Sequence, residues 1–360
     1  MKIENSVVLI PSANRVIGLA FARAVLARGA SKVCAAARNP KYVKTAVLGL
    51  AMATTLFAAP LGAADGVSTG IPQNLPAPSQ ALGDIWKTVA TQTITADGVT
   101  FAYRELGKQN GGTPVVFLVH LAAVLDNWDP RIVDGLAAKH HVIAFDNRGI
   151  GASSGSPSNS MEKMADDAVT FIKAMGLKQV DLLGFSMGGM IAQEIVLKEP
   201  QLVRKMIIAG TGPAGGEGIS SVAGVTFYDM LRGFFTGQDA KQFLFFTRTP
   251  NGIEAGKAFL ERLKERTENR DKEISISAFL AQLEALRAWG QKTPADLSLV
   301  KQPVLVVNGD DDRMVPTQNT HDLARRLPNS TLIIYPDAGH GGIFQNHTTF
   351  VPSALEFLAR

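Results

Sequence analysis

The sequence predicts an α/β protein built on a mostly parallel sheet, and three stretches carry that prediction. In the first, the apolar run Val180-Asp181-Leu182-Leu183 leads through Gly184-Phe185-Ser186-Met187-Gly188 into the helical pattern Met190–Val196. This reads as strand, tight turn and helix, with glycines keeping side chains off the turn. In the second, Pro303–Asn308 reads as a buried strand, and Gly309-Asp310-Asp311-Asp312 follows at once. In the third, the strand-like run Thr331–Tyr335 precedes Pro336-Asp337-Ala338-Gly339-His340-Gly341. A serine, an acid and a histidine thus each stand just past a strand, where loops at one sheet edge can bring distant residues together.

The remaining elements follow in chain order. Strands are expected near 91–95, 99–105, 114–119, 142–146, 180–184, 205–210, 303–308 and 331–335. Helices are expected near 131–139, 160–175, 187–198, 317–327 and 347–359. Between about 213 and 298 the strand–helix alternation breaks, and the stretch reads as helical and rich in aromatics, among them Phe227, Tyr228, Phe235, Phe245 and Trp289. Some of these are expected to line a pocket and most to pack together. The run Glu261–Arg266 reads as a solvated helix face.

Taken with two further motifs, these features make residues 91–360 resemble an α/β-hydrolase fold enzyme. Val115–His120 resembles the strand entering that family's oxyanion loop, and Asp146-Asn147-Arg148-Gly149-Ile150-Gly151-Ala152-Ser153 resembles its D-x-R-G-x-G-x-S turn. The resemblance implies a mostly parallel eight-stranded sheet with helices on both faces. It divides this part into a core, 91–212 and 299–360, and a helical cap, 213–298. It also implies roles. Ser186 is the nucleophile, and His340 takes its proton. Asp312, at the family's G-x-x-D position, orients the imidazole and stabilises its charged form, ahead of its neighbours Asp310 and Asp311. Asp146 and Arg148 are expected to brace their loop. An oxyanion needs two N–H donors. Met187, following the nucleophile, supplies one, and the loop after His120 the other. Here the family usually has His-Gly, whereas this chain has His120-Leu121-Ala122-Ala123, which leaves Leu121 or Ala122 as donor.

The first 90 residues read differently. Residues 7–18 and 36–40 resemble the opening strand and helix of a short-chain dehydrogenase. Of three glycines expected for a dinucleotide turn, only Gly18 is present, with Ser12 and Val16 in the other places, and the chain has no Tyr-x-x-x-Lys pair. Residues 1–40 are therefore expected to be a remnant without a cofactor site. Residues 41–64 begin with Lys41 and Lys44, carry no charge from Thr45 to Ala64, and end in small residues. That is the pattern of a secretory signal peptide, placed internally, as for an exported enzyme with an acquired upstream start. A packed alanine-rich helix and a membrane anchor are the alternatives. An export signal implies a periplasmic or secreted enzyme; otherwise the protein is cytoplasmic. Residues 65–90, with Pro72, Pro76 and Pro78, read as a linker. Residues 1–44 carry eight basic side chains against Glu4 alone, a net +7, so with the whole chain at +4 the rest sums to −3. The basic balance belongs to the leader, and nothing suggests a nucleic-acid surface on the hydrolase part. The single cysteine, Cys34, permits no internal disulfide, and no Cys/His cluster has zinc spacing.

The resemblance predicts a serine hydrolase, free of cofactor and metal, that cleaves a small apolar carboxylic ester or lactone through an acyl-enzyme. A cofactor-free haloperoxidase or perhydrolase and a carbon–carbon bond hydrolase share the same triad. A hydrolase-fold binding protein with little turnover is the alternative from another class.

Overall fold

The computed structural model describes residues 7–11, 32–36 and 85–360. The chain divides into two compact units, 1–81 and 82–360. In the first, β1 (Val7–Pro11) and β2 (Lys32–Ala36) pair in parallel, from Val7 opposite Lys32 to Pro11 opposite Ala36. The sequence reading placed one strand here. The second is the short run Lys32–Ala36, and the two make a sheet of their own. The signal-like segment 41–64, and the linker up to residue 84, lie outside the described residues.

The second unit carries an eight-stranded sheet in the order β10-β9-β8-β7-β5-β6-β4-β3. Its strands are β3 (Gln92–Ala96), β4 (Val99–Leu106), β5 (Val115–Leu118), β6 (Val142–Phe145), β7 (Val180–Phe185), β8 (Val203–Ala209), β9 (Val304–Gly309) and β10 (Ser330–Tyr335). Only β4 runs against the others. β3 and β4 form a hairpin through Asp97-Gly98, both at positive φ (47° and 73°), the pairing a two-residue hairpin turn favours. β5, β6, β7 and β9 are buried along their whole length, as parallel strands covered on both faces must be. The edge strands β3 and β10 are partly exposed and more polar.

Helices α1 (Pro130–Ala137), α2 (Met161–Ala174), α3 (Met187–Lys198), α8 (Gln318–Arg326) and α10 (His347–Ala359) alternate with the strands, within a residue or so of where the sequence put them. Short α9 (Gly342–Gln345) follows His340. Between β8 and β9 lie α4 (Val222–Thr236), α5 (Ala240–Phe245), α6 (Pro250–Arg262) and α7 (Ile276–Gln291). The aromatics here divide. Phe243, Phe245, Phe246 and Trp289 are buried, while Phe227, Tyr228 and Phe235 are about half exposed, at 47–55%. Among the described residues no helix is long and apolar enough to cross a membrane.

The folded unit starts earlier than the linker reading allowed. Trp86 is 2% exposed and Val89 4%. The Trp86 N–H donates to Asp134 Oδ1 (2.7 Å), and Arg266 Nη1 donates to the carbonyls of Trp86 (3.1 Å) and Val89 (2.9 Å). Arg104 lies over the indole at 5.1 Å. The large apolar ring, with Val89 beside it, docks this end of the segment.

Strand order fixes where the site can be. The connection leaving β5 goes to β6 on one side, and the one leaving β7 goes to β8 on the other. The crevice between the carboxyl ends of β5 and β7 is thus a topological switch point, where open α/β sheets bind ligands.

Candidate active site

Ser186 stands at that crevice, between β7 and α3. Its φ and ψ are 57° and −117°, a strained conformation for a residue with a Cβ. The surroundings over-determine it. The Ser186 N–H donates to Ala209 O of β8 (2.8 Å), pinning the turn to the next strand. The flanking glycines are required by close approach. A Cβ on Gly188 would lie 1.8 Å from Leu118 O at the end of β5, and one on Gly184 would lie 2.5 Å from Gly188 O. The first turn of α3, with its unpaired N–H groups, follows directly.

Asp312 and His340 come together in the next loops along the sheet edge. His340 Nδ1 and Asp312 Oδ2 are 2.7 Å apart, and both side chains are at most 1% exposed. Since the other acceptors of Asp312 are filled by donors, the proton of this bond sits on His340 Nδ1. Asp312 Oδ1 accepts from the N–H groups of Met314 (2.8 Å) and Val315 (3.0 Å), and Oδ2 accepts also from Asn308 Nδ2 (3.1 Å). Asp310 and Asp311 are exposed; Asp310 Oδ1 accepts from the Ala338 N–H (3.2 Å) and so shapes the histidine loop from outside. The His340 ring packs 5.0 Å from Phe185, the residue before the serine, and 5.5 Å from Phe245 of α5. The Gly341 N–H donates to Phe245 O (2.7 Å), so the inserted helices also hold the histidine loop.

The loop after β5 completes the site. His120 is 3% exposed, and its Nδ1–H donates to Leu121 O (2.8 Å). Burial, reinforced by nearby Lys241, lowers its pKa to about 3, so the ring is neutral. It packs between Phe185 (5.4 Å) and Phe245 (5.1 Å). Replacing the family's glycine by Leu121 introduces no left-handed residue at 121; the positive φ falls on Ala122, at 59°. The Ala122 N–H is engaged, donating to Gln282 Oε1 of α7 at 2.8 Å. Sequence reasoning missed Gln282. Its signal was a polar residue on the buried stripe Ala278, Leu283, Ala285, Leu286 and Trp289 of an otherwise apolar helix face.

The D-x-R-G turn is a brace. Arg148 Nε and Nη2 both donate to Asp167 Oδ1 (2.9 and 2.6 Å). Asp146 Oδ1 accepts from the Leu125 N–H (3.0 Å). A Cβ on Gly151 would lie 2.4 Å from Asp146 Oδ2 and 2.7 Å from Asp271 Oδ2. The two oxygens are both buried and neither has a donor. Burial first, and then Asp271, raises the Asp146 pKa well above the ordinary carboxyl value. Among the described residues no cluster of three or more His, Cys, Asp or Glu side chains could hold a metal.

Comparison with known proteins agrees with this architecture. An alpha/beta hydrolase fold protein from Chitinophaga pinensis is 37% identical, with a TM-score of 0.73 over 76% of this chain and 99% of that one. The structure of Est816, described as an N-acyl homoserine lactone degrading enzyme, is 26% identical, with a TM-score of 0.60 over 74% of this chain and all of that one. A non-heme haloperoxidase of Rhodococcus erythropolis is 26% identical over 285 residues, 74% of this chain and 98% of its own. The family model for the alpha/beta hydrolase fold matches residues 113–347, from the strand before His120 to past His340, and the chain therefore belongs to the alpha/beta hydrolase fold family of enzymes.

Proposed function

We propose that the protein hydrolyses a small apolar carboxylic ester or lactone through an acyl-enzyme on Ser186. The observation that carries this reading is the buried 2.7 Å Asp312–His340 bond next to a serine held at positive φ. With its proton on Nδ1, His340 presents Nε2 as the base. Ser186 Oγ attacks the acyl carbon as its proton passes to Nε2, and Asp312 stabilises the imidazolium. The carbonyl oxygen gains the negative charge, facing the Met187 N–H and a second donor from Leu121 or Ala122. Collapse expels the alkoxide, which takes the proton from His340. Water then attacks the acyl-enzyme with His340 again as base, releasing the acid and restoring Ser186.

The helices of residues 213–298 act as the cap in this reading. Phe245 and the buried aromatics about it give the site an apolar wall, which suits an uncharged acyl group. Likeness to a lactone-degrading enzyme supports a lactone as one substrate form. Likeness to a haloperoxidase supports a second reading, in which hydrogen peroxide replaces water at deacylation and yields a peracid. A panel of p-nitrophenyl esters and lactones of graded acyl length tests the first. Bromination dependent on both halide and peroxide tests the second. Saturable ligand binding without turnover of any ester or lactone would instead mark a binding protein.

A further inference from the structure

Gln282 of α7 is 1% exposed, and each end of its amide has a defined environment. Because the Ala122 N–H can only donate, the atom facing it at 2.8 Å is the amide oxygen. The amide nitrogen therefore points the other way. It is buried there without a protein acceptor, beside a small cavity lined by Gln282, Asn147, Arg148, Ser158 and Asp167. Asp167, which lines the same pocket, carries the converse atom. Arg148 places Nε and Nη2 on Asp167 Oδ1, and Asp167 Oδ2 is buried with no donor. One unpaired donor and one unpaired acceptor thus belong to residues that line the same tight pocket, while the amide oxygen covers the Ala122 N–H. Ala122 itself holds a left-handed conformation at φ 59°, the kind of local strain that persists at functional sites.

We propose that Gln282 is a gate on the oxyanion site. Its amide oxygen occupies the Ala122 N–H in the free enzyme as a stand-in for the acyl oxygen. When substrate arrives, the amide leaves Ala122 and seats its nitrogen on Asp167 Oδ2. The inference rests on the acyl-enzyme reading and selects Ala122, not Leu121, as the second donor. The substrate oxygen must displace a neutral amide oxygen, so the gate opens to acyl oxygens that develop charge and accept more strongly than an amide does.

The test replaces the plug. Gln282→Met keeps the length of the side chain and offers no amide oxygen; Gln282→Ala removes the chain. Both are measured by kcat/KM on p-nitrophenyl acetate and by the inhibition constant of phenylboronic acid, whose boron accepts the Ser186 oxygen and places a boronate oxygen at the oxyanion donors. In both variants kcat/KM is expected to rise, and the inhibition constant to fall, on the order of fivefold, the size of one net hydrogen bond. An unchanged or lower kcat/KM in a variant still fully labelled by a fluorophosphonate overturns the gate, leaving the contact a loop brace. Failure of the wild-type Ser186 to take the label overturns the acyl-enzyme reading instead. A crystal structure of the wild-type boronate adduct needs no variant: Gln282 is expected on Asp167, and an amide oxygen still 2.8 Å from the Ala122 N–H refutes the proposal.

Discussion

Replacing Asp312 by asparagine tests the base assignment through hydrogen-bond bookkeeping alone. Asp312 accepts four bonds: Oδ1 from the Met314 and Val315 N–H groups, Oδ2 from Asn308 Nδ2 and His340 Nδ1. Asparagine brings one acceptor atom and one donor. Turning its NH₂ toward Met314 and Val315 opposes two backbone donors that have no freedom to turn. Its oxygen therefore takes the Oδ1 position, and its NH₂, which loses the bond from Asn308 Nδ2, faces His340 Nδ1. That nitrogen must then give up its proton and accept, which moves the ring proton to Nε2, the atom that has to receive the serine proton. A wrong tautomer of this kind costs about 10⁴ in kcat, or about 5.4 kcal/mol at 1.36 kcal/mol per decade. Asp310→Asn and Asp311→Asn leave the histidine untouched, since both side chains are exposed and Asp310 bonds only to the Ala338 N–H. They are expected to lose less than about tenfold, the scale of one exposed hydrogen bond. The assay is kcat on a p-nitrophenyl ester, with near-ultraviolet circular dichroism confirming the fold. An Asp312→Asn variant within tenfold of wild type, or a larger loss at Asp310 or Asp311, refutes the reasoning.

Ser186→Ala is expected to lower kcat on the order of 10⁶-fold and to abolish fluorophosphonate labelling while the melting curve stays cooperative; persistent labelling would move the nucleophile elsewhere. A chain beginning at Asp65 is expected to keep its melting temperature and esterase activity. One beginning at Thr91 loses the buried Trp86, and an aromatic deleted from a core costs about 3–5 kcal/mol; equal stability of the two chains in urea would show that Trp86 docks without consequence. Asp146 gives a pH signature. Its folded pKa lies above the ordinary 3.8, so the folded state binds more protons than the unfolded one, and its contribution is complete below about pH 4 and is lost as pH rises through the folded value. Asp146→Asn keeps a hydrogen toward Asp271 at every pH, so the melting temperature of wild type relative to this variant should fall with increasing pH. A constant difference would refute the raised Asp146 pKa. Asp126, which accepts from the Asp271 N–H (2.8 Å), is itself paired with Arg104.

Features set by local chemistry were legible in the sequence. Strands such as Val142–Phe145 and Val304–Gly309 announce themselves because a parallel strand covered on both faces is apolar throughout. The serine turn is legible for a related reason: only glycine fits where Leu118 O comes within 1.8 Å of a would-be Cβ, so the steric demand is written as residue identity. The meeting of Asp312 and His340, 28 residues apart, could be inferred because both follow adjacent parallel strands, β9 and β10, whose register carries their ends to one edge.

What stayed hidden depends on partners that no local pattern names. A composition dominated by proline and small residues makes 65–90 look uniformly like a linker, yet the buried indole of Trp86 docks its end, and the Trp86 backbone bonds to Asp134 and Arg266. Ala122 carries no mark of its positive φ, since alanine is an ordinary residue in most backbones, and the strain is visible only once the loop is closed against α7. Gln282 stands 160 positions from the N–H it covers, and on a helix its amide reads as one polar interruption of an apolar stripe. Only the closed structure shows its oxygen on the Ala122 N–H and its nitrogen buried and unpaired. Burying an amide with half its hydrogen-bonding capacity unmet is destabilising by about 1–3 kcal/mol, and methionine or leucine would fill the same space without that penalty. The boronate and Gln282→Met measurements decide whether that amide serves the oxyanion site or only braces the loop after β5.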